Sequence, residues 1–94
     1  MCYNKMMKRW TVVFKILGNI NRLKIIDLLS DGQKMNVGDI AAALKISLTA
    51  TSNHLVMLQK LDVLEVEGRA GHVFYYLNRK MPRDFSRALT LFTH

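Results

Sequence analysis

Residues 36–61, NVGDIAAALKISLTATSNHLVMLQKL, hold two helical patterns with only a tight turn between them. Asn36 can cap VGDIAAAL, KIS makes the turn, and Ser47 can cap a second helix over about 48–61. So short a pair, so closely joined, reads as a helix-turn-helix over about 37–61. The second helix gathers Ser47, Thr49, Thr51, Ser52 and Asn53 at its front, mostly mediocre helix formers and more than a single cap requires.

At about 100° per residue, Leu48, Thr51, Leu55 and Leu58 fall on the side expected to pack on a core. Thr51 there is expected to bond a backbone carbonyl of its own helix. The opposite side presents Thr49, Asn53 and Lys60, flanked by Ser52, Val56 and Met57. Short polar groups near a helix N-terminus allow close entry into the major groove of duplex DNA, where they meet base edges. Asn53 suits bidentate bonding to adenine, while Thr49 and Ser52 are less selective. The plainer alternative is that Ser47 caps the helix and the others are merely solvated.

The 94-residue chain as a whole supports one domain, 1–94, without internal repeats. Met6, Trp10, Val13, Phe14 and Leu17 are spaced for a helix over about 5–17, and residues 20–30 for a second ended by Asp31-Gly32. QKMNV is too short for a helix and suits a stub of strand. VLEVEG and HVFYYLN alternate as strands, giving a hairpin wing over about 63–77 whose turn Gly68 and Gly71 bracket. Pro82 opens a final helix over about 82–93, with Phe85, Ala88, Leu89 and Phe92 as its stripe. The fold class is mainly α with a small β-hairpin wing, a winged helix-turn-helix. Arg69 at the wing tip can reach a minor groove or phosphate, with His72 as a second candidate and Lys45 a phosphate contact from the turn. For each, a solvated surface residue is the plainer alternative, and a histidine at a strand start is more often simply exposed.

Charge narrows the partners. Fourteen Lys and Arg against seven Asp and Glu give +7, which favours nucleic acid or an anionic membrane without choosing between them. The charge is spread along the chain, so no polybasic tail is present. One cysteine, Cys2, excludes an intrachain disulfide and suits a reducing cytoplasm. Lys15 interrupts the apolar opening and no small-residue cleavage pattern follows, so neither signal peptide nor membrane span is expected.

The order of parts resembles the ArsR/SmtB family of winged-helix repressors. FKILGNINRLKIIDLLSDG is similar to that family's opening pattern, with Leu-Gly, turn residues and Arg-Leu before an Ile/Leu-rich helix. DIAAAL, SNHL, KLDVL and EGRAGHVFYYLN resemble its helix-turn-helix and wing, over about residues 14–78. The resemblance implies DNA-binding roles for Thr49, Ser52, Asn53, Arg69 and His72. It implies a homodimer joined through the first and last helices, here Trp10, Phe14 and Leu17 with Phe85, Leu89 and Phe92. Both helices also carry stripes that so small a core can hardly absorb, although packing wholly within one chain is the alternative. The implied activity is repression from a pseudo-palindromic operator in double-stranded DNA.

The sequence departs from the family's metal sensors. Asn36 and Gly38 stand where a Cys-x-Cys pair would hold a soft ion, and Ser86 follows Asp84 where an acid-His pair would stand. Cys2, His54, His72 and His94 lack ligand spacing, so no metal or other cofactor is expected. No phosphate-cradling glycine loop, nucleophile-base pair or paired carboxylate suggests catalysis. The six Met residues suit core filling. A winged-helix module for protein–protein contact is the rival from another class, and large apolar residues in place of Thr49 and Asn53 would favour it.

Overall fold

The computed structural model describes residues 5–91. Its elements are α1 (Lys5–Leu17), α2 (Ile20–Leu28), α3 (Val37–Leu44), α4 (Leu48–Lys60), β1 (Leu64–Arg69), β2 (His72–Leu77) and α5 (Arg83–Leu89). Short side chains start the middle helices by accepting amide protons that have no partner in a first turn. The Asn19 side chain accepts from Asn21 and Arg22, that of Asn36 from Asp39, and that of Ser47 from Ala50. Gly18 separates α1 from α2 at close quarters, for a Cβ there would lie 2.9 Å from the Phe14 carbonyl oxygen.

Lys45 ends α3 in the left-handed conformation, φ 60°, and donates its amide to the Ala41 carbonyl. That reversal sends the chain from α3 into α4 within three residues. β1 and β2 pair antiparallel from Leu64 opposite Leu77 to Arg69 opposite His72. Met35 adds a single bridge to Tyr75, with amide–carbonyl bonds of 3.0 and 2.8 Å, so the expected strand stub is present as one rung.

The hairpin turn differs from expectation. Its two loop residues are Ala70 and Gly71, with φ 53° and 81°, while Gly68 lies inside β1 opposite Val73. A two-residue loop with positive φ at both positions matches the strand twist, so Ala70 occupies a place better suited to Gly or Asn. Pro82 also moves by one position. With ψ 141° it stands just before the helix, and α5 begins at Arg83.

The core joins Val13 and Ile16 of α1, Ile25 and Ile26 of α2, Ile40 of α3, Leu55 and Leu58 of α4, the hairpin base at Val63 and Leu64, and Phe85 of α5. Arg9 and Asp84 link the two terminal helices, Nε to Oδ2 at 2.5 Å, and the same guanidinium lies 5.3 Å from the Phe85 ring centre. No described helix is long and apolar enough to cross a membrane.

Candidate nucleic-acid interface

α4 is a two-sided rod. Thr51, Leu55 and Leu58 are buried, and the Thr51 hydroxyl donates to the Ser47 carbonyl at 2.8 Å. This bond removes the cost of placing a hydroxyl in the core. Thr49, Asn53 and Lys60 are exposed and Ser52 is half-buried, so the expected outer face is in place. A shallow hollow of about 330 Å³ brings Thr49, Ser52 and Asn53 together with Val37 and Leu48.

Periodicity places Leu48 on the core side, and the structure corrects this. It is 58% exposed. α4 enters the core at Thr51, so the buried row Thr51–Leu55–Leu58 begins about one turn later than the angular pattern implies.

The wing brings Arg69 and His72 together as the last rung before the loop, both exposed. Arg69 is not idle there. Its Nη2 lies 2.5 Å from Glu67 Oε2, while the other carboxylate oxygen of Glu67 lies 2.9 Å from Lys34 Nζ. Lys34 also rests 4.8 Å from the centre of the Tyr76 ring. The Lys34 hydrogen bond, then that of Arg69, holds the Glu67 carboxyl below its ordinary range against the opposing effect of desolvation. His72 lies tilted 6.4 Å from Phe74. Lys45 is exposed at the turn between α3 and α4, apart from the hollow, beside Lys24, Asp27 and Leu28.

The side chain that fastens α4 escaped the sequence reading. Arg22 Nε donates to the Ile16 carbonyl at 2.7 Å, and Nη1 meets His54 Nδ1 at 3.3 Å. Arginine has only donors, so Nδ1 accepts and the imidazole proton sits on Nε2. Burial first, and the Arg22 charge second, lower the His54 pKa. His54 therefore supports α4 from its edge rather than facing solvent freely.

Along α1 and α5 the apolar residues divide. Trp10 and the 59%-exposed Phe14 stack at 5.4 Å and line a cavity of about 650 Å³ with Arg87, Ala88 and Leu91 of the α5 end. Leu17, Phe85 and Leu89 are instead buried in the chain's own core. The stripe expected to face a partner is thus partly turned inward, and Phe92 lies outside the described residues. Among the described residues no cluster of three or more His, Cys, Asp or Glu could hold a metal ion.

Among the described residues, five helices that include a helix-turn-helix with an exposed polar face, together with a basic-tipped hairpin, define a winged helix-turn-helix protein. The pattern of bacterial regulatory proteins of the arsR family matches residues 19–66, and the chain belongs to that family. It is 36% identical over 72 residues to the transcriptional repressor SdpR of Bacillus subtilis (strain 168), covering 77% of this chain and 79% of that protein. It is 39% identical over 64 residues to the cadmium resistance transcriptional regulatory protein CadC of Listeria innocua, 68% of this chain but about half, 54%, of that one. Its fold is similar to the homodimeric winged helix-turn-helix DNA-binding domain of Mb0332 from Mycobacterium bovis, with TM-score 0.72 and 29% identity over 92% of this chain and 76% of that one. The family is one of transcriptional regulators, not of enzymes.

Proposed function

We propose that this regulator is a cytoplasmic homodimer whose α4 reads a pseudo-palindromic operator and represses transcription by occupying it. The observation that carries the reading is α4 itself: Thr49, Ser52 and Asn53 share one hollow on its leading half while Thr51, Leu55 and Leu58 bury its back. Thr49, Ser52 and Asn53 contact base edges, whereas Lys45, Arg69 and His72 contact phosphate or the adjacent minor groove. The net charge of +7 supplies salt-sensitive affinity for any duplex. Trp10 and Phe14, with the exposed end of α5, cover one another across the dimer axis, supported from within by Leu17, Phe85 and Leu89. Two α4 helices then enter half-sites about one helical turn apart.

Selection of bound duplexes from a random pool, followed by titration of Asn53→Ala, tests the reading. The substitution is expected to cost about 1–3 kcal/mol on the selected site and little on random duplex. An equal loss on both would remove base reading from Asn53. A promoter–reporter carrying the selected site should fall in output when the protein is expressed, and a rise would make it an activator.

A further inference from the structure

We propose that Leu48 reads the C5-methyl group of thymine and so adds a base preference to that of the polar residues of α4. The inference rests on the operator reading above and extends it to one residue and one chemical group. Leu48 is the first residue of α4, directly after the cap Ser47, and stays 58% exposed although Leu55 and Leu58 of the same helix are fully buried. Its neighbours in the hollow are Ser52, one turn further along the helix, and Thr49, Asn53 and the half-buried Val37 from the start of α3. Leu48 and Val37 therefore make a small apolar spot inside a rim of hydroxyl and amide groups.

The major groove offers a single apolar feature to such a spot. Guanine, cytosine and adenine present only donors and acceptors there, while thymine adds a methyl group. A leucine at the leading end of the helix covers that methyl and removes both apolar surfaces from water. Among the polar neighbours only Thr49 carries a methyl that could meet thymine, and Leu48→Ala separates its contribution from that of Leu48. The hydroxyls of Thr49 and Ser52 bond to more than one base, so an apolar contact beside them narrows an otherwise permissive face.

Deoxyuridine provides the test, since it pairs as thymine does and differs at the groove edge only by the missing methyl. Each thymine of the selected operator is replaced in turn by deoxyuridine, and affinity is measured for the wild-type chain and for Leu48→Ala. The expected result is a loss of about three- to fivefold at one position in each half-site, the weight of about one methyl group removed from an apolar contact. Leu48→Ala should bind thymine and deoxyuridine forms of that position equally, at the level of the wild type on deoxyuridine. The DNA substitution leaves the protein unaltered, so misfolding cannot imitate it. Affinity within twofold for every deoxyuridine operator, or a thymine preference that survives in Leu48→Ala, would overturn the role of Leu48 while leaving the operator reading intact. Selection that returns no preferred duplex would instead overturn the operator reading, and the role of Leu48 with it.

Discussion

Glu67→Gln should make the protein bind DNA more tightly, by freeing two cations that the wing now neutralises itself. The carboxylate takes Lys34 on one oxygen at 2.9 Å and Arg69 on the other at 2.5 Å. Glu67 and Arg69 are two apart on β1 and so share a face of the hairpin. A phosphate approaching the wing must compete with that carboxylate for Arg69. The amide raises the formal charge from +7 to +8 and leaves both cations available. Each cation that engages a phosphate adds about 0.9 to the slope of log affinity against log salt, so two add up to about 1.8. Across a fourfold rise in salt, from about 50 to 200 mM, the advantage of the variant should then shrink by about tenfold. Fluorescence anisotropy with a labelled random duplex at three salt concentrations measures both affinity and slope. An unchanged slope in Glu67→Gln would refute the reasoning. So would a gain of the same size in a variant that also lacks Lys34 and Arg69, because the charge would then act without them.

Phe14→Lys should shift the protein from dimer to monomer in light scattering while leaving the helical signal in circular dichroism unchanged, since Phe14 is exposed in the single chain. A dimer of undiminished stability would move the interface off α1. Asp84→Asn removes the link to Arg9 and should cost about 0.5–1 kcal/mol in urea unfolding, as expected for a partly exposed pair. The Arg9 hydrogen bond lowers the Asp84 pKa, so the contribution of this pair is present above the ordinary carboxylate pKa of 3.8 and disappears as pH falls through the lower folded value. His54 acts in a higher window: its folded pKa lies below the ordinary 6.5, so the unfolded chain takes up the proton first and stability falls as pH drops below 6.5. His54→Gln should flatten that part of the pH profile, and a profile of identical steepness would deny His54 the role.

The parts of the fold legible in the sequence are those whose cause is local. Asn36 and Ser47 cap because each side chain bonds an amide three residues away, and the pattern of small polar residues announces it. Lys45 turns the chain in the few residues that KIS allows, and Met35 makes the one rung with Tyr75 that a strand stub permits. Thr49, Asn53, Arg69 and His72 are exposed because helix periodicity and hairpin position left them no other side to occupy. Where the reading failed, the deciding fact was remote. Helical angle places Leu48 with Thr51 and Leu55, but only the assembled core shows where α4 leaves it. The apolar stripe of α5 has no marker saying which residues are absorbed, and Phe85 turned inward under Arg9, 76 positions away in sequence. Glycine suggested the wrong bracket for the wing because Ala70 adopts a conformation that alanine rarely takes.

Arg22 shows why that remote information matters for function. Its side chain leaves the first turn of α2, reaches the last carbonyls of α1 at Lys15 and Ile16, and meets the ring of His54 on α4. The carbonyls at the end of a helix carry partial negative charge and lack amide partners, so a guanidinium there satisfies them and favours the same end electrostatically. One residue thus fastens the helix that carries Phe14 to the helix that carries Asn53. In a dimer joined through α1, the distance between the two reading helices is set by how firmly each α4 is held to its own α1, and a pair of half-sites one turn apart tolerates little slack in that distance. The burial that disfavours the protonated form of His54 acts in the same direction, since a protonated ring would present a second cation to Arg22. The proposed reading face carries Thr49, Ser52 and Asn53, and its placement rests on the buried Leu55 and Leu58 together with a part-buried contact 32 residues apart in sequence that no local pattern of hydrophobicity encodes.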